Sequence, residues 1–209
     1  MKKYIVEFIG TFFLVLTIGL TVINTPAGVI PPIAIGLALA IAVYSGGHIS
    51  GGHYNPAVTL GVLVRGKIGI ADVPGYWIAQ LLGAFVAAKT ALFLKGHPEL
   101  PASGALNVPV ALLAEFLFTF ALVYVILNVA TAKGTSGNSF YGLAIGSTVI
   151  VGAFAVGNLS GGAFNPAVAV GVTVMGLSAA ANLWVFLAAN FAGGLIAGLV
   201  FRGLNPDDQ

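Results

Sequence analysis

The chain has 209 residues, 58% of them hydrophobic and only 7% charged, with a net charge of +2. A water-facing globular surface needs about a quarter of its residues charged, so this composition excludes a soluble domain and indicates a bundle of membrane spans. The eight basic residues are scattered, which argues against nucleic-acid binding, and the lack of cysteine removes disulfides, thiol chemistry and cysteine metal sites.

A membrane-spanning helix needs about 20 apolar residues. After Met1-Lys2-Lys3 the first apolar run covers 4–24. It outlasts a signal-peptide core and leads into further runs, so it reads as a retained first span. The second run covers 31–47. The stretch 48–68 is polar at its start and then apolar for some ten residues. Ten helical residues make about 15 Å, half of a hydrocarbon layer of about 30 Å, so a half-helix is expected there. Spans at 74–95, 108–130 and 139–157 follow, then a second short stretch at 158–178 and a last span at 180–201. Breakers such as Gly96-His97-Pro98 and Gly134-Thr135-Ser136-Gly137 separate the runs. With six spans and the N-terminus inside, Lys2, Lys3, Arg65, Lys67, Lys133 and Arg202 face the cytoplasm, and only Lys89 and Lys95 face the other side. That bias places both termini in the cytoplasm.

The two short stretches are copies of one another. His48-Ile49-Ser50-Gly51-Gly52-His53-Tyr54-Asn55-Pro56-Ala57-Val58 aligns with Asn158-Leu159-Ser160-Gly161-Gly162-Ala163-Phe164-Asn165-Pro166-Ala167-Val168, 110 residues later. Glu7-Phe8 and Thr11-Phe12 recur as Glu115-Phe116 and Thr119-Phe120 at an offset of 108, and Gln80 pairs with Asn190. The chain is thus one domain over 1–209, built from repeats of roughly 1–100 and 101–209. Three spans per repeat force the second to insert upside down, which brings both irregular segments to the bilayer midplane around a pore. Asn is a favoured N-cap and Pro a favoured first helical residue. Asn55 and Asn165 are therefore expected to cap half-helices whose positive ends meet mid-membrane. Their amides would donate to a passing solute, while the preceding glycines hold an extended backbone with carbonyls of Gly52, His53, Gly161 and Ala163 facing the lumen. Such a pore suits neutral hydrogen-bonding solutes, and the positive potential at its centre opposes cations.

These motifs resemble the aquaporin (major intrinsic protein) superfamily over essentially the whole chain. The resemblance rests on the doubled Asn-Pro-Ala, the lead-in His48–His53 and the glutamates of the first and fourth spans. It implies an all-α membrane fold of six transmembrane helices and two re-entrant half-helices in an inverted repeat. It also implies a homotetramer with one water-conducting pore per subunit that excludes ions and protons, and a plasma-membrane location is expected. A narrow selectivity filter of the family falls, by spacing from the two motif asparagines, on Ile35, Ala153, Gly162 and Val168. Most members carry Arg where this chain has Val168. Loss of that fixed charge and its donors removes one barrier to cations and gives a wider, largely apolar constriction expected to admit solutes beyond water, such as glycerol, urea or ammonia. The resemblance further implies that Glu7 and Glu115 accept hydrogen bonds from the re-entrant loops and hold them.

The remaining residues have structural readings. His48 and His53 lack further ligands for a metal site; His53 offers its carbonyl to the pore and His48 pins the loop. Gly10, Gly19, Gly36, Gly83, Gly142, Gly146, Gly193 and Gly198 permit close helix crossings. Trp77 and Trp184 read as lipid-facing or interfacial anchors. No nucleophile is paired with a base, so neither an enzyme nor a cofactor is expected. Two rival readings are a secondary transporter using Glu7 and Glu115, and a structural membrane protein with a non-conducting pore.

Overall fold

The computed structural model describes residues 1–25, 28–100 and 105–208. Six long helices dominate: α1 (Lys2–Val22), α2 (Ile30–Ser50), α4 (Val73–Leu94), α5 (Val108–Ile126), α6 (Tyr141–Ser160) and α8 (Leu183–Leu204). Each is long and apolar enough to cross a membrane. Two short helices, α3 (Pro56–Arg65) and α7 (Pro166–Val174), complete an all-helical inverted repeat. The polar starts of the stretches at 48–68 and 158–178 turn out to be the last turns of α2 and α6. These helices end only where Gly51 and Gly161 adopt left-handed φ of 89° and 97°, a conformation that glycine reaches without a Cβ clash. At the end of α5 a π-turn, Leu127–Thr131, extends the helix.

The repeats pack alike. α1 lies on α4 and α5 on α8, while α2 against α6 joins the halves. Small residues set these distances, because in lipid helix association depends on close packing rather than on expulsion of water. A Cβ added to Gly83 would lie 2.6 Å from the Phe8 carbonyl oxygen, and one added to Gly193 would lie 2.8 Å from that of Phe116. Gly36 and Gly146 likewise face one another's backbone across the α2–α6 seam.

Both termini lie at one end of the bundle, beside the segment that follows α3. Near the N-terminus, Tyr4 Oη donates to Asp72 (2.9 Å) and Lys3 pairs with the same carboxylate (2.6 Å). At the C-terminus, Asp208 clasps two segments that are distant in sequence. One oxygen accepts from Arg65 Nη2 (2.7 Å) and the other from the backbone N–H of Lys133 (2.7 Å). Arg65 also donates to the Thr131 carbonyl and stacks on the Phe201 ring, 4.7 Å from its centroid. The Arg65 side chain is only 1% exposed, so its charge depends on these partners. The Lys133 N–H, and then the positive charges of Arg65 and Lys133, hold the Asp208 carboxyl below the usual carboxylate range.

A carboxylate with a lowered folded pKa contributes stability that is present above its unfolded value and lost as pH falls through the folded one. The melting temperature of the detergent-solubilised protein is therefore expected to drop as pH is taken from about 5 to about 3. Asp208→Asn should melt lower at neutral pH and show a shallower acid slope. Thermal unfolding across that pH range checks both, and an unchanged slope in the variant would refute the role of Asp208.

Candidate functional site

The two half-helices start alike, end to end. Asn55 is extended (φ −158°, ψ 121°), and its Oδ1 caps α3 by accepting from the N–H groups of Ala57 (2.8 Å) and Val58 (3.4 Å). Asn165 does the same for α7 through Ala167 (2.9 Å) and Val168 (3.4 Å). Pro56 and Pro166 occupy the first helical positions, where no N–H is needed. The amide nitrogens then cross between repeats. Asn55 Nδ2 donates to the Phe164 carbonyl and Asn165 Nδ2 to that of Tyr54, each at 2.9 Å. An amide carries two N–H donors, so each asparagine spends one on the opposite half and keeps one for the lumen.

That crossing requires an unusual backbone. Tyr54 and Phe164 both sit at φ 49°, the left-handed region, as do Gly51, Gly52, Gly161 and Gly162. The run before each Asn-Pro-Ala is therefore curled and not extended as the glycines suggest. Only a curled turn aims the Tyr54 and Phe164 carbonyls at the opposite asparagine. Non-glycine residues in this region cost about 1–2 kcal/mol each, so both rings are firmly held. Tyr54 Oη donates to the Ala42 carbonyl (2.9 Å) and its ring covers Gly10 and Gly46, while Phe164 packs on Gly152 and Phe118.

Each turn is fastened to a buried carboxylate. Glu7 Oε1 accepts from Ser50 Oγ (2.7 Å) and the His53 N–H (2.9 Å). Its Oε2 accepts from the Tyr54 N–H (2.6 Å) and Gln80 Nε2 (2.8 Å). Glu115 repeats the set with Ser160 Oγ (2.7 Å), Ala163 N–H (2.9 Å), Phe164 N–H (2.7 Å) and Asn190 Nδ2 (2.9 Å). Both glutamates are completely buried. Four donors on each carboxylate compensate the loss of water. The repeats differ in where the amide's other bond goes: Asn190 Nδ2 also donates to Thr119 Oγ1 (2.9 Å), whereas Gln80 Nε2 donates to Thr59 Oγ1 (3.1 Å), which also meets His53 Nδ1 (3.1 Å). Ala163 and Ala169 occupy the places of His53 and Thr59 in the second half.

Asn55 and Asn165 face a cavity of about 910 Å³. Gly52, His53, Gly161 and Ala163 line it, and so do all four spacing-derived positions, Ile35, Ala153, Gly162 and Val168. Toward the end carrying the termini the wall includes Leu122 and Ile126; at the opposite mouth it includes Thr25, Ser178 and Asn182. Pro56, Ala57, Pro166 and Ala167 are buried behind the asparagines as helix starts.

This geometry sets the chain beside known proteins. The major intrinsic protein family model matches residues 1–201. The chain belongs to that family. Its members are passive channels and not enzymes. Among its relatives, glycerol uptake facilitator protein-like 6 of Lactiplantibacillus plantarum is 37% identical, with both chains covered completely. Nodulin-26 of Glycine max is 35% identical over all of this chain and 80% of its own length. Aquaporin NIP1-2 of Arabidopsis thaliana is 34% identical over all of this chain and 76% of its own. The aquaglyceroporin of Plasmodium falciparum shares the fold, with a TM-score of 0.80 at 24% identity over 96% of this chain and 94% of that one.

Two sequence readings need correction. His48 is exposed at the end of α2 and its side chain makes no hydrogen bond among the described residues, so it does not pin the loop. Ser50 and the Tyr76 hydroxyl, which donates to the Ser50 carbonyl (2.6 Å), do that work. Trp77 is not a lipid anchor: it is half-buried, its Nε1 donates to the Pro56 carbonyl (3.2 Å), and its ring meets Phe191 at 5.3 Å. Trp184, by contrast, is exposed. Gln80 and Asn190 carry a role that pattern reading missed, although their pairing across the repeat was visible.

Replacing Glu7 by Gln presents an NH2 group to two of four donors, which should cost about 2–5 kcal/mol. Glu7→Gln is expected to reduce the melting temperature and the yield of monodisperse protein, while surviving protein keeps its solute preference. A variant that assembles normally but conducts differently would make Glu7 a transport residue instead.

Proposed function

We propose that the cavity is the pore of a passive channel for water and small neutral solutes such as glycerol, urea or ammonia, which excludes ions and protons. The observation that carries this is the lining at the four filter positions. Ile35, Ala153, Gly162 and Val168 bring no side-chain donor, acceptor or charge to the lumen. Hydrogen-bonding groups there come from the backbone. A solute without charge can cross such a stretch, whereas an ion would leave its hydration uncompensated. At the centre, the remaining N–H of each asparagine and the positive ends of α3 and α7 oppose cations. The names of the relatives, an aquaporin and a glycerol uptake facilitator-like protein, support water and glycerol within that range.

Nothing favours ion-coupled transport. Glu7 and Glu115 are each saturated by four donors and engaged in holding the turns. The proposal extends to a homotetramer in the plasma membrane with both termini cytoplasmic, which the family and the excess of Lys and Arg at the terminal end support.

Stopped-flow light scattering of proteoliposomes under sucrose, glycerol and urea gradients tests the reading, with Val168→Arg alongside. Wild type should pass water and at least one larger solute. The variant should keep water and lose the larger solute about tenfold or more, as expected when a bulky charged group with five donors closes a small aliphatic gap. Equal solute ratios in both proteins would refute a filter at Val168.

A further inference from the structure

Polar side chains are missing from the filter but present at the mouth of the same cavity, at the end opposite the termini. Asn158, near the end of α6, and Ser178 and Asn182, between α7 and α8, all line it. Among the described residues these three side chains form no hydrogen bond within the protein. Asn158 is exposed and the other two are half-buried. Asn182 occupies the N-cap of α8, a position where an asparagine ordinarily bonds the first turn, yet it makes no cap bond.

For Asn182 the inverted repeat shows that this freedom belongs to one face. The 110-residue offset pairs Asn182 with Asp72, Ser178 with Ile68 and Asn158 with His48. Asp72 is occupied: Tyr4 donates to it and Lys3 pairs with it. The residues of α5 that correspond to Lys3 and Tyr4 are Ala111 and Leu112, which offer neither charge nor hydroxyl. The second repeat has thus kept a polar residue at this position and dropped the partners that tie its counterpart down. Polar groups that bond to nothing in the protein bond to water or to a ligand.

We propose that Asn158, Ser178 and Asn182 form a capture site at the pore mouth for neutral solutes with two or more hydrogen-bonding groups, polyols and urea-like amides. Two amides and a hydroxyl supply both donors and acceptors without charge, so they match such molecules at several points and give no advantage to ions. Water and ammonia have a single heavy atom and gain no multi-point contact. Polar recognition then takes place at the mouth, where hydration is exchanged stepwise, and the filter selects by width alone. This inference rests on the solute range proposed above.

The test compares wild type with the Asn158→Ala, Ser178→Ala, Asn182→Ala triple variant in proteoliposomes. Uptake of labelled glycerol and urea is followed against concentration, with water and ammonia permeability in parallel. Wild type should show saturable glycerol and urea uptake, and the variant a several-fold higher half-saturating concentration with water and ammonia unchanged. Restoring Asn182 alone should recover part of the loss. Identical saturation curves, or a parallel fall in all four permeabilities, would overturn the capture site while leaving the wide pore standing. If wild type passes neither glycerol nor urea, the wide pore fails, and the mouth is read by whether external glycerol slows water flux. Slowing in wild type that disappears in the triple variant upholds the site, and no slowing removes it.

Discussion

Two stretches of non-helical backbone, 51–54 and 161–164, lie in the middle of a membrane protein, where an unpaired N–H or C=O is expensive. The rest of the structure follows from how they are satisfied. Each turn gives two consecutive N–H groups to one buried glutamate and one carbonyl to the asparagine of the other repeat. The glutamate fastens the turn to α1 or α5, and the asparagine fastens the two turns to each other. The lumen-facing groups are therefore fixed by three bonds per turn, from two sides, before any solute arrives.

This scheme also separates tasks that the sequence pattern merges. The carboxylates are structural because every lone-pair direction is taken, which leaves them nothing to offer a proton or cation in the pore. The asparagines divide their functions by atom: Oδ1 caps a helix, one N–H binds the opposite turn, and one N–H remains for the lumen. The glycines act by accepting left-handed φ, and they share that burden with Tyr54 and Phe164, whose rings are wedged between glycine-lined helices. A substitution in this centre affects cap, crossing and turn together.

The two repeats are equal in scaffold and unequal in decoration. Glu7 and Glu115 hold matching sets of four donors, whereas the first half adds the His53–Thr59–Gln80 chain and the second the Asn190–Thr119 bond. At the outer ends of the half-helices the divergence is larger. Asp72 is locked to the start of α1 while Asn182 faces the cavity, and buried Arg65 is clasped by Asp208 where the second repeat has Met175 packed beside Gly19. An inverted repeat gives each face of the membrane the same framework, and side chains at its ends make one face a clasp for the termini and the other an open mouth.

By itself the sequence determined the number of spans, the two half-helices, the inverted repeat and the central asparagines. These are written in local signals: apolar runs of membrane length, cap residues, and a long motif that occurs twice. The pairing of Gln80 with Asn190 was visible too, but as a coincidence of position without a partner. Only the tertiary structure decided that the turns curl, that each asparagine reaches across to the other repeat, that Trp77 faces inward and His48 does not, and that Arg65 meets a residue 143 positions away. None of these is a property of a segment. Each depends on where a second segment arrives, and that is set by packing of small residues between helices far apart in the chain.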